Sequence, residues 1–181
     1  KVSFEQMRDM YQAMKYADER YDEKLKSESG LVGTEGKKMM DARAEGNLLC
    51  GDFIGKVMEK ALKTSESNAC MKRIVAAPTA GSAGVIPGVF LALKEEKALS
   101  DEILLKGLYT AGAVGYLLMR NASVAGAEAG CQAEVGAASA MAAAGVVEMF
   151  GGTPKQCLDA GSLALSNLLG LVCDPIAGLV E

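Results

Sequence analysis

Apolar residues in the first part of the chain recur at three- and four-residue spacing. Phe4, Met7, Met10, Tyr11, Met14 and Tyr21 trace one face of a long amphipathic helix predicted over Ser3 to Glu28. Ser3 with Gln6 has the form of a capping box at its start. The segment SESGLVG, Ser27 to Gly33, then breaks the pattern with a glycine turn. A short helix is predicted over Lys37 to Arg43. A longer one over Asn47 to Thr64 carries Leu48, Leu49, Ile54, Val57, Met58 and Leu62.

Beyond Thr64 the pattern is less regular. Arg73 to Ala77 reads as a short strand or an extended segment, because a proline at 78 disfavours helix in the residue before it. The turn TAGSAG follows, then a helix from beyond Pro87 through about Leu93. Ser100 is a good N-cap with Asp101 and Glu102 in the first turn, and that helix is predicted to reach about Arg120. Ser123 to Phe150 reads as one or two glycine-interrupted helices, stopped by Gly151 and Gly152. Thr153, Pro154 and Gln156 form a start signal for a last helix reaching about Gly170. The alternation of a half-buried strand is almost absent. The prediction is an all-α fold: a single compact domain of glycine- and alanine-rich, closely packed helices with a buried PTAGS loop at Pro78 to Ser82.

Composition sharpens this reading. Half of the 181 residues are hydrophobic but only 5% are aromatic and none is Trp, so Ala, Gly, Leu and Met must fill the core. The net charge of −4 and a pI of about 5.1 give no electrostatic footprint for nucleic acid or an anionic membrane. Ile74 to Leu93 is uncharged, but Pro78, Pro87 and three glycines interrupt it, which argues against a spanning helix. There is no histidine, so acid–base work falls to Lys, Glu, Asp, Cys or Tyr, or to another chain. Five cysteines and a start without the apolar core of a signal peptide point to reduced thiols in the cytoplasm. The first residue is Lys1, not Met, and the chain is expected to be a fragment.

Three islands carry the unusual chemistry. Ala127 to Gly145 sets Cys131, Glu128, Gln132 and Glu134 among alanines and glycines. Cys173, followed by Asp174, stands in LLGLVCDPIAG. The third island is IVAAPTAGSAGVIPG, Ile74 to Gly88. Neither Cys131 nor Cys173 belongs to a CxxC pair, so spacing identifies no metal site, and two buried thiols in tight packing satisfy the pattern. Glu128, Gln132, Glu134 and Asp174, however, are polar groups in apolar runs that need partners or a task. APTAGSAG has the form of a small anion cradle or of a simple turn. Gly81 and Gly84 permit tight turns, Thr79 and Ser82 offer hydroxyls, and a helix starting near Ser82 would aim N–H groups at a carboxylate or phosphate. Lys72 and Arg73 precede it, as a solvated pair or with one of them facing a substrate carboxylate. Cys50, Cys70 and Cys157 read as ordinary thiols, and the ten methionines as core filler.

Together KRIVAAPTAGSAGVIPG, GAEAGCQAEVGAASAMAAAG and NLLGLVCDPIAGLVE resemble the α subunit, or α domain, of the iron–sulfur-dependent bacterial L-serine dehydratases. SGLVG at 29–33 fits an early motif of that family, and the resemblance runs from about Ser29 to the end of the chain. It implies deamination of L-serine to pyruvate and ammonia without pyridoxal phosphate. It also implies a 4Fe–4S cluster in which one iron, not held by cysteine, acts as a Lewis acid on the serine hydroxyl. Cys131 and Cys173 match the first two cluster cysteines of the family, and Thr79, Ala80, Gly81 and Ser82 match its substrate loop. Glu128, Gln132, Glu134 and Asp174 would surround the ligands. A separate β subunit or domain is implied, with a histidine there as the base; Lys72 is the in-chain alternative. The complete enzyme is expected to be an oligomer.

The family pattern continues past CDPIAGLVE to a third cysteine that residues 1–181 do not include. The chain as given is therefore expected to hold no intact cluster and to be inactive alone. The same motifs would serve a related iron–sulfur lyase, such as one that desulfidates L-cysteine. A non-catalytic helical subunit that scaffolds or binds a carboxylate is the alternative without chemistry. The reading commits Cys131 and Cys173 to lie near each other and near the PTAGS loop.

Overall fold

A computed structural model describes residues 2–46 and 48–170. Among them are eight α-helices and no strand: α1 Val2–Glu19, α2 Glu35–Ala44, α3 Gly51–Ala69, α4 Val85–Lys97, α5 Asp101–Asn121, α6 Gly126–Ala129, α7 Cys131–Met149 and α8 Pro154–Ser166.

The helix at the centre is α7, and its sequence explains why. It is apolar all round and made largely of Ala and Gly, so it has no polar face to give to water. It buries Ala137, Ala138, Ala140, Met141 and Ala144 against α5, α8 and α4. A Cβ at Gly145 would stand 2.7 Å from the Gly107 carbonyl oxygen, so α5 and α7 meet backbone to backbone there. The α3–α4 seam is built the same way. A Cβ at Gly88 would come within 2.8 Å of Ala61 Cβ and 3.0 Å of the Val57 carbonyl oxygen. Phe90 and Leu104, both 0% exposed, fill the space between these seams, each contributing roughly 2–3 kcal/mol through burial.

A buried polar layer joins α1, α3 and α4. Asp18 receives Lys60 at 2.7 Å and Lys63 at 2.8 Å, and Lys60 also reaches Glu95 of α4 at 2.6 Å. Beside it, Glu66 of α3 accepts from Tyr21 and, at 2.9 Å, from the Gly36 N–H of α2.

Several boundaries differ from the sequence expectation, each for a local reason. Helix α1 stops at Glu19 rather than Glu28. Tyr21 is drawn to Glu66, and Ser27 pairs with Val32 through both backbone (2.8 Å) and hydroxyl (3.1 Å), which closes a turn instead. Ser3 lies inside α1 and is not its cap. Helix α3 begins at Gly51 and runs past Thr64 to Ala69. The hydroxyls of Thr64 and Ser67 bond back to helix carbonyls at 2.9 and 2.8 Å, so these residues do not break it. Helix α4 starts at Val85, two residues before Pro87, because a missing N–H is harmless in a first turn. It ends at Lys97 rather than Leu93, where Ala98 turns left-handed with φ 49°. Arg73–Ala77 forms no strand; Arg73 and Ala77 lie in bends and 74–76 have no regular structure. The region 123–150 is two helices divided at Gly130, φ 76°. The caps at Ser100 and at Thr153 with Gln156 form as predicted. Helix α8 stops at Ser166, and turns continue to Gly170.

Candidate active site

The chain reaches the PTAGS loop by reversing at the end of α3. Met71 takes φ 56°, and the Lys72 N–H bonds to the Ser67 carbonyl at 2.8 Å. Val75 and Ala77 are buried and anchor the segment before the loop in the core. A cis Ala77–Pro78 bond follows. Ala80–Ser82 is then one 3₁₀ turn, closed by Ala83 N–H to Ala80 O at 3.2 Å. Ser82 is 1% exposed, and its hydroxyl lies 3.3–3.4 Å from the carbonyls of Thr79 and Ala77. The Ser82 side chain thus braces the turn from within. The tip, Ala80 and Gly81, reaches the surface, and Thr79 is half-buried.

Two helices hold this turn from either side. From α3, Asn68 donates its amide to the Ala80 carbonyl at 3.0 Å. The Asn68 Oδ1 is itself buried with no hydrogen-bond partner among the described residues. From α7, the Glu134 carboxyl group lies against the turn tip. A Cβ on Gly81 would sit 2.7 Å from Glu134 Cδ and 2.8 Å from Oε1. On its other side is Gly126, whose Cβ would fall 2.6 Å from Oε2. The carboxylate therefore occupies room that only two glycines leave. Cys131, the first residue of α7, and Gln132 are half-buried at the same helix end. The structure thus brings Thr79–Ser82 together with Glu134 and with the helix end that carries Cys131 and Gln132.

Other sequence candidates lie elsewhere. Glu128 is exposed and accepts from Ser123 Oγ at 2.6 Å, so it is engaged by its own loop. Lys72 is exposed and lines an open groove of about 1010 Å³ with Asp9, Gln12, Tyr16 and Arg20, and residues 79–82 do not line that groove. Cys173 and Asp174, and so the expected approach of Cys173 to Cys131, lie outside the described residues. Among the described residues no three Cys, Asp or Glu side chains gather as a metal site. Cys131, at the first position of α7, offers a sulfur of the type that iron–sulfur clusters take as ligand. Cys157 is 2% exposed, and burial, with the Glu148 charge adding, pushes its thiol up, as expected of a core cysteine. Asn68 and Gly126 were not singled out from the sequence. Asn68 stands among Ser65, Glu66 and Ser67 and looks like any polar helix end, so only its contact with Ala80 marks it.

The sequence matches the family described as "Serine dehydratase alpha chain" over residues 2–181. The chain belongs to that family. It is 48% identical over 178 residues to the "Probable L-serine dehydratase, alpha chain" of Bacillus subtilis (strain 168), covering 98% of this chain and 59% of that protein. It is 46% identical over 155 residues to the "L-serine dehydratase, alpha chain" of Peptoniphilus asaccharolyticus, covering 86% and 53%. With "L-serine dehydratase 1" of Escherichia coli (strain K12) it shares 46% identity over 123 residues, 67% of this chain and 27% of that one. The chain thus spans a little over half the length of the two alpha chains it matches. In this member of the family, none of the described helices is long and apolar enough to cross a membrane.

Proposed function

We propose that this chain is part of a cytoplasmic L-serine ammonia-lyase that converts L-serine to pyruvate and ammonia together with a β subunit or domain. The observation that carries this reading is the seating of the Glu134 carboxylate on the PTAGS turn, at the helix end that also bears Cys131. It gathers two of the three islands that distinguish the sequence into one place, within a chain whose relatives are called L-serine dehydratases.

In this reading the turn binds the substrate carboxylate. The N–H groups of Ala80 and Gly81 donate to no backbone carbonyl among the described residues, and the Thr79 hydroxyl is half-exposed beside them. Ser82, buried beneath, fixes the turn so that its donors are set before substrate arrives. Asn68 holds the Ala80 peptide by its carbonyl and so orients the neighbouring Gly81 N–H. Cys131 and Cys173 would hold a 4Fe–4S cluster, which when bound supplies Lewis-acid activation of the substrate hydroxyl. Residues 1–181 contain no histidine, so a histidine outside them, in the β part, is our candidate for the group that removes the α-proton, with Lys72 as the alternative within them.

The test uses the full-length protein, purified without oxygen together with its β partner. Iron and sulfide content and pyruvate formation from L-serine, with L-cysteine as the competing substrate, are measured on the same sample. About four irons per chain with pyruvate from serine is the expected result. Pyruvate without iron would refute the cluster assignment. Iron with sulfide release from cysteine but no turnover of serine would make the enzyme a desulfidating lyase instead.

A further inference from the structure

We propose that Glu134 receives the α-ammonium group of the substrate and so selects α-amino acids over their hydroxy-acid counterparts. This rests on the reading that the PTAGS turn binds the substrate carboxylate. The carboxylate and ammonium of an α-amino acid are attached to the same carbon. A site that holds one at Ala80 and Gly81 must therefore meet the other close by. The charged group found there is Glu134, whose carboxyl lies over Gly81 in the slot formed with Gly126. It makes no ion pair and accepts no hydrogen bond among the described residues, so its charge is not spent on the fold. The carboxylates that tie the elements together are engaged, by contrast: Asp18 holds Lys60 and Lys63, Glu66 accepts from Tyr21 and Gly36, and Glu128 accepts from Ser123. A half-buried carboxylate that has no ion pair among the described residues, is packed on a neutral turn and is flanked by two residues without side chains fits an incoming cation.

The test compares Glu134→Gln and Glu134→Asp with wild type in the complete enzyme, each checked for iron content and unfolding temperature. Two competitive inhibitors separate the contacts: L-alanine, which keeps both charged groups, and 3-hydroxypropionate, which lacks the amine. In Glu134→Gln, inhibition by L-alanine and the KM for L-serine should weaken roughly 10- to 100-fold. Inhibition by 3-hydroxypropionate should hold or improve, and Asp should restore part of the loss. Equal weakening of both inhibitors would overturn the proposal, because Glu134 would then only support the turn. So would a fall in kcat with L-alanine inhibition unchanged, which would point to proton transfer. If the amide variant loses iron or fails to fold, Glu134→Asp decides by the same two inhibitors. A wild-type enzyme that makes no pyruvate from serine would instead remove the functional reading, and this assignment with it.

Discussion

At the scale of single residues, Gly81 carries the clearest consequence. Its missing side chain is replaced in space by the carboxylate of Glu134. A methyl group there would meet only the far end of a flexible side chain, so the fold has little reason to object. Gly81→Ala is expected to leave the unfolding temperature within about 2 °C of wild type. In the complete enzyme it should lower kcat/KM for serine by about 10- to 100-fold, because the displaced carboxylate no longer fits the substrate. Calorimetry and a pyruvate assay on the same preparation check both halves. An activity close to wild type would separate Glu134 from the site.

Elements are held together by two devices, small-residue seams and a buried ionic layer. In the first, Gly145→Ala should destabilise by about 1–3 kcal/mol, because the new methyl meets the rigid Gly107 carbonyl of α5 and the Phe90 ring of α4. Chemical denaturation would register this as a lower midpoint with an unchanged slope. In the second, Asp18 is the common partner of Lys60 and Lys63. Burial works against the Lys60 charge, but its hydrogen bonds to Asp18 and Glu95 outweigh it and raise the ammonium pKa. Asp18→Ala would leave a 5%-exposed lysine with only the exposed Glu95 as partner, and should cost about 3–5 kcal/mol. Equilibrium urea unfolding at neutral pH measures it. A loss below about 1 kcal/mol would mean that water enters the layer.

For the molecule as a whole, the absence of histidine leaves no ordinary side chain that changes charge between about pH 5 and 8. The pH dependence of folding then falls to shifted groups such as the Glu66–Glu35 pair. Burial lifts the Glu66 carboxyl above the usual carboxylate range, whereas Glu35 is held below it, chiefly by the hydrogen bond with Glu66. Folded Glu66 binds its proton more tightly than the unfolded chain does. Its contribution is complete at low pH and is lost as pH rises through its raised value. Glu35 behaves oppositely: its contribution is present above the unfolded carboxylate value and is lost as pH falls through its lowered one. The denaturation midpoint should therefore pass through a maximum between the lowered Glu35 value and the raised Glu66 value. Glu66→Gln, which cannot deprotonate, should remove the decline on the alkaline side and leave the one on the acid side. A profile unchanged by that substitution would assign the slope elsewhere.

The sequence by itself determined the all-α class, most of the helices and two of their caps, because apolar periodicity and capping chemistry are local and act within a few residues. Ser100 and the Thr153–Gln156 box needed no distant partner to form. The three islands, Cys131 and the PTAGS turn were legible for a related reason: unusual residue types in an apolar run stand out without coordinates. Long-range partners decided the rest. The end of α1 was set by Tyr21 reaching Glu66, 45 residues away. The two-sided clamp on the turn came from Asn68 and Glu134, which flank it far apart in sequence. No local pattern distinguishes Glu134, set on Gly81, from Glu128, turned to its own loop. The difference arises only when the backbone of α7 approaches the turn closely enough for two glycines to leave room for a charge.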